Sequence, residues 1–112
     1  MTEGSFNRIG VIGGGAWGTA LAHSLSLNAH EVRLWAYETD TVREIQDHRT
    51  NRVYLPGVNL DDNLQVTNDL TDLGQSEVIL LAPPAQHLRR ISAQLKELAR
   101  PGLPVLICAK GI

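Results

Sequence analysis

The stretch Ile9-Gly10-Val11-Ile12-Gly13-Gly14-Gly15-Ala16-Trp17-Gly18 decides how the rest of the chain is read. A short β-branched run stops at three consecutive glycines, the pattern of a buried parallel strand that ends in a glycine turn. From Ala16 to Leu27 the chain is rich in Ala and Leu, with Leu21 and Leu25 four apart, which predicts a helix ending near Asn28. Glu31 to Ala36 (EVRLWA) then alternates, placing Val32 and Leu34 on one face and Arg33 on the other, as a strand nearer the sheet margin does. Strand, turn, helix and strand complete a βαβ unit.

Outward from this unit the alternation continues. Thr39 to His48 predicts a short helix, capped by Thr39 or Asp40, with a narrow apolar face of Val42 and Ile45. Asn51 to Asp62, interrupted by Pro56-Gly57, reads as loop; Leu64 to Thr67 reads as a small strand and Asp69 to Gly74 as one helical turn. Glu77 to Ala82 is apolar almost throughout, the mark of a central strand, and Pro83-Pro84 ends it. Leu88, Ile91, Leu95 and Leu98 recur at helical spacing, opposite Arg89, Arg90, Lys96 and Glu97. Pro101-Gly102 stops that helix, and Leu103 to Cys108 predicts a further buried strand. The pattern as a whole predicts a doubly wound α/β fold, a parallel sheet with right-handed crossovers. Because the chain stops just past an apolar strand, the expectation is a domain cut short, whose last strand invites self-pairing.

Composition narrows the function. With 112 residues, 43% of them hydrophobic, the chain fits one globular domain. A net charge of -2 and a pI near 6.0 exclude a charge-driven nucleic-acid or anionic-membrane partner. Cys108 stands alone, so no disulfide framework forms, and a reducing, cytoplasmic setting is expected. No leader-like basic and apolar pairing opens the chain, and its longest apolar stretches are far below the roughly 20 residues of a spanning helix.

Gly13-Gly14-Gly15-Ala16-Trp17-Gly18 matches GxGxxG in the strand-to-helix context that dinucleotide binding requires. Gly13 permits the tight turn, Gly15 lacks the Cβ that would hold a pyrophosphate off the backbone, and Gly18 allows close helix packing. The positive end of the following helix then faces the phosphates. An acidic ribose acceptor is due about 20 residues on, where Tyr37 and Glu38 fall. Glu38 would favour an unphosphorylated ribose, or it caps the next helix or faces water; NAD and NADP both stay open. His23, His30, His48 and His87 have no metal-ligand spacing, so no metal is expected. Ser24 and Ser26 lack a nucleophile elbow, and Cys108 within its apolar run reads as a packing thiol. Asp61, Asp62, Asp69 and Asp72 read as loop and capping residues.

GGGAWGTALA (Gly13–Ala22), NRVYLPG (Asn51–Gly57) and AKGI (Ala109–Ile112), supported by PPAQHLR (Pro83–Arg89), closely resemble the NAD(P)-dependent sn-glycerol-3-phosphate dehydrogenases. In this order and spacing the motifs are far more specific than the glycine turn alone. The resemblance implies an oxidoreductase with a Rossmann-type domain over residues 1–112. It implies reduction of dihydroxyacetone phosphate to sn-glycerol 3-phosphate, the entry to phospholipid synthesis, by hydride from NAD or NADP in reduced form. It also implies cofactor contacts at Gly13, Gly15, Ala16, Trp17, Gly18, Tyr37 and Pro84, beside the Glu38 marked by the spacing, and a Lys110 that touches both cofactor and substrate. A lysine ammonium offers a fixed positive charge to a phosphate or a polarised carbonyl oxygen.

The chain also departs from the family. The helical second domain that supplies the proton-transferring lysine has no counterpart here, so no catalytic residue is expected in this chain and no turnover by it alone. Pro83 replaces the more usual apolar strand residue. The resemblance leaves room for a homodimer. Two other readings stand beside it. One is a stand-alone NAD(H)-binding regulatory module; the other is a related dehydrogenase for a different hydroxy or carbonyl acid, against which NRVYLPG and KGI argue.

Overall fold

β1 (Arg8–Ile12) supplies the apolar centre of a five-stranded, all-parallel sheet in this computed structural model, which describes residues 7–28, 31–82, 91, 93–96 and 102–108. It is flanked by β2 (Glu31–Trp35) and β4 (Val78–Leu81), with β3 (Gln65–Thr67) outside β2 and β5 (Val105–Ile107) outside β4. The order β3-β2-β1-β4-β5 is that of a Rossmann-type sheet, and β1 and β4 meet at its topological switch point.

Side chains alternate across this sheet, so each strand feeds two cores. Ile9, Val11, Val32, Leu34 and Val78 join Ala22, Val42 and Ile45 on one face. Ile12, Trp35, Ile79 and Leu81 join Leu73 and Ile91 on the other. A sheet covered on both faces tolerates continuous apolar strands, which is why β1 and β4 lack polar alternation. β2 is second from the margin and buries Trp35 as well as Val32 and Leu34.

α1 (Ala16–Leu27) has the predicted bounds, with Asn28 as its C-cap, but a different buried face. Gly18, Thr19, Ala22 and Ser26 are buried, whereas Leu21 is half-buried and Leu25 packs only at the edge of the core. Small side chains let the helix lie close to the sheet, so the widest hydrophobes fall to its flanks. α2 (Thr39–His48) also has the predicted bounds and buries Val42 and Ile45. Its N-cap is Glu38 rather than Thr39 or Asp40, and Glu38 makes no side-chain capping bond.

Arg49 ends α2 in the left-handed region at φ 57. Its Nη2 donates to the Leu64 carbonyl at 2.6 Å and to the Asp61 carbonyl, which folds the long loop back against the helix end. The predicted turn after β3 is a 3-10 turn, Leu70–Leu73, whose N-cap Asp69 accepts from the Thr71 amide at 3.0 Å.

β5 corrects one expectation. It is a strand, but Val105, Leu106 and Ile107 are 45%, 53% and 76% exposed, not buried. β4 is its one strand partner among the described residues, and Leu103, just before β5, packs against the second core. Of the amphipathic helix predicted over Leu88–Leu98, Ile91 and residues 93–96 are helical, with Ile91 buried and Leu95 packed beside it. Its other residues, with Pro83, Pro84 and Lys110, lie outside the described residues.

Candidate dinucleotide-binding cleft

The glycine turn starts in register with the sheet, since the Gly13 amide donates to the Trp35 carbonyl at 2.9 Å. Gly13 then takes φ 128, a conformation a side chain would strain. A Cβ on Gly18 would stand 1.9 Å from the Gly13 carbonyl oxygen, and one on Gly14 would stand 2.6 Å from the Ala36 Cβ. A Cβ on Gly15 would meet nothing within 4 Å. Gly13, Gly14 and Gly18 are therefore demanded by the fold itself, whereas the fold leaves Gly15 open to solvent.

Gly15 is also the N-cap of α1, whose first turn carries no acidic side chain. The amides of a first helical turn have no intrahelical acceptor, and the helix dipole adds partial positive charge there. An open, uncapped and acid-free helix start fits an anionic diphosphate. The residues present thus suit a dinucleotide, with no carboxylate of that turn opposing it.

An open cleft of about 500 Å³ lies above the turn, lined by Gly13, Gly14, Gly15, Trp35, Ala36, Tyr37, Glu38, Thr41, Tyr54 and Ile91. It sits at the carboxyl ends of β1 and β2, where open α/β sheets bind ligands. Of the residues singled out from the sequence, Gly13, Gly15, Tyr37 and Glu38 come together here. Ala16 and Trp17 lie exposed on the first turn of α1, outside the lining, and Gly18 is buried beneath it. Trp35 stacks edge-on to Tyr37, with ring centroids 6.2 Å apart, and gives the cleft a rigid aromatic wall.

Two further contributors, neither marked as a site residue from the sequence, come from the Asn51–Leu55 turn. The Leu55 amide donates to the Asn51 carbonyl at 2.7 Å and closes the turn. Asn51 is 1% exposed, and its Nδ2 donates to the Gly14 carbonyl at 3.0 Å and to Thr19 Oγ1 at 2.9 Å. The Thr19 hydroxyl in turn donates to the same carbonyl at 3.2 Å. At the other end Tyr54 Oη donates to Glu38 Oε1 at 2.5 Å. That bond to a carboxylate, helped by partial burial and the negative charge, raises the Tyr54 pKa above 10.0.

Glu44 pins the middle of the same turn, accepting from the Arg52 amide at 2.8 Å, from Arg52 Nε at 3.0 Å and from Thr50 Oγ1 at 2.8 Å. The Arg52 amide is the largest cause of a Glu44 pKa held below the ordinary 4.5. The sequence signal that could have exposed these roles is one amide and one phenol three residues apart in a loop that must fold onto the glycine turn. Of the histidines expected at the surface or at helix ends, His48 is the exposed last residue of α2. His23 is half-buried, and its Nδ1 accepts from the Asp61 amide at 3.1 Å.

Residues 8–112 match the family described as NAD-dependent glycerol-3-phosphate dehydrogenase N-terminus. The glycerol-3-phosphate dehydrogenase [NAD(P)+] of Maricaulis maris is 44% identical over 107 residues, 96% of this chain and 32% of that protein. The protein of the same name from Paramagnetospirillum magneticum is 46% identical over 105 residues, 94% of this chain and 38% of its own length. A crystal structure of glycerol-3-phosphate dehydrogenase from Coxiella burnetii superposes with a TM-score of 0.86 at 33% identity, covering 95% of this chain and 33% of that one. The chain spans about a third of the length of these relatives. With the glycine turn, the strand order and 105 matched residues in agreement, the chain belongs to the NAD-dependent glycerol-3-phosphate dehydrogenase N-terminus family.

Proposed function

We propose that this chain supplies the dinucleotide-binding part of an NAD(P)-dependent glycerol-3-phosphate dehydrogenase, in which dihydroxyacetone phosphate is reduced to sn-glycerol 3-phosphate. The observation that carries the reading is the open backbone above Gly15, set in one cleft with the carboxylate of Glu38. The first is suited to a pyrophosphate and the second to a ribose hydroxyl. When bound, the nicotinamide supplies the hydride. The chain's own residues bind and orient it: the amides at the start of α1 hold the diphosphate, and Trp35 and Tyr37 wall the adenosine end.

Glu38 favours an unphosphorylated ribose by charge. The arginines on either side of the loop support this, because Arg49 is committed to backbone carbonyls and Arg52 to Glu44, so neither is turned to a 2′-phosphate. Lys110 is proposed, from the AKGI motif, as this chain's contribution to the substrate phosphate or carbonyl. Residues 1–112 are the nucleotide-binding domain in this reading, with the acid-base group supplied by the part of the family that the chain does not match. A cytoplasmic enzyme and a homodimeric assembly belong to the same proposal; the single cysteine supports the first. Among the described residues no helix is long and apolar enough to cross a membrane.

The test is a titration of the purified chain with NADH, following tryptophan fluorescence. Saturable quenching that Gly15→Val abolishes without lowering the melting temperature is expected. A chain that gives no saturable response to NADH or NADPH would reject the reading.

A further inference from the structure

Glu38 sits where β2 hands over to α2, in extended backbone at φ -88 and ψ 125, and makes no capping bond to its own helix. Nothing on its own element fixes the direction of this exposed carboxylate. A glutamate loses considerable rotamer entropy when a ligand immobilises it, so a carboxylate aimed in advance binds better than one that is not. The aiming group comes from 16 residues away, the Tyr54 hydroxyl at 2.5 Å from Oε1.

Tyr54 is itself held in place. It rides on the turn closed by Asn51 and Leu55, and that turn is bonded to the Gly14 carbonyl and to Glu44. The phosphate-facing turn and the ribose-facing carboxylate are thus referenced to one loop. Tyr54 takes one carboxylate oxygen, and a carboxylate has two. The second can accept from a ribose 2′-hydroxyl, while the same fixed negative charge repels a phosphate ester at that position. We infer that Tyr54 is a positioning residue that, through Glu38, sets the preference of this cleft for dinucleotides with a free adenosine ribose over those with a 2′-phosphate. The inference rests on the proposed function, since it needs a dinucleotide in the cleft.

The experiment compares dissociation constants for NADH and NADPH in the purified wild type, Tyr54→Phe, Glu38→Gln and the double variant, with melting temperature as the check on folding. Tyr54→Phe removes a single hydroxyl at a residue 37% exposed. It is expected to weaken NADH by about three- to tenfold, the range of one hydrogen bond, and to change NADPH by less than about twofold. In the Glu38→Gln background the same change should leave the NADPH-to-NADH ratio unaltered, because the two residues act as one unit. Equal weakening of both cofactors would mark a loop-folding role and overturn the inference, as would a wild type that binds both equally or a Tyr54→Phe that changes neither. Each of those results leaves the dinucleotide site standing. A wild type that binds neither removes the site and the inference together.

Discussion

Asn51 Nδ2 donates to the Gly14 carbonyl at 3.0 Å across 37 residues of sequence, tying the loop after α2 to the glycine turn after β1. The amide is buried, and its second bond reaches Thr19 Oγ1 on α1. Strand end, helix start and loop therefore meet at one side chain.

Asn51→Ala should lower unfolding free energy by about 2–3 kcal/mol, from two lost hydrogen bonds and the space left behind. Asn51→Asp should cost more than Asn51→Ala, because an ionised carboxylate has no proton to donate and would face the Gly14 carbonyl while buried. Urea denaturation of the three proteins checks the order, and an Asp variant as stable as wild type would contradict it.

Gly15 and Gly18 should separate binding from folding. Gly15→Ala places its Cβ in open space, so stability should stay within about 0.5 kcal/mol of wild type while NADH binding falls. Gly18→Ala drives a Cβ against the Gly13 carbonyl and should destabilise the fold by about 3 kcal/mol or more. Thermal melts run beside fluorescence titrations read both effects; a Gly15→Ala protein that binds normally would show that no ligand approaches that backbone.

The pH profile follows from carboxylates held below their ordinary values. Glu77 accepts from the Arg8 amide at 2.9 Å and from the Asn7 amide at 2.6 Å, and these bonds depress its pKa below 4.5. Asp69 and Glu44 are lowered in the same sense, by Thr71 and by Arg52. A depressed folded-state value means that the contribution is complete above the unfolded-state pKa and is lost as pH falls through the folded-state one. Melting temperature should therefore hold above about pH 5 and fall below about pH 4. Glu77→Gln should flatten that fall, which melts at a series of pH values would reveal.

Core and edge positions should differ sharply. Ile12 is fully buried between β2 and β4, and Ile12→Ala should cost about 2–5 kcal/mol. Leu106, half-exposed on the edge strand β5, should cost less than about 1 kcal/mol on the same change. Equal losses in chemical denaturation would mean that β5 is more deeply covered in solution than its exposure indicates.

Much of the fold was legible because it rests on short-range pattern. The β-branched run before Gly13 announced β1, and Val42 with Ile45 announced the buried stripe of α2. The Leu21–Leu25 stripe misled, because α1 lies too close to the sheet for leucines and buries Gly18 and Ala22 instead. The apolar content of Val105 to Ile107 could not say whether the strand had one neighbour or two. Gly13, Gly15, Tyr37 and Glu38, which line the cleft, were marked from the sequence, but Tyr54, which also lines it, and Asn51, which braces the turn beside it, were not.

The sequence by itself determined the strand-turn-helix order, the parallel character of the sheet and the glycine turn between β1 and α1. These depend on backbone sterics and hydrophobic periodicity, which act over a few residues. Only the tertiary structure decided that Asn51 braces Gly14 and that Tyr54 aims Glu38. Hydrogen bonds between residues 16 and 37 positions apart leave no periodic trace along a chain, because their partners are set by where the folded loop lands.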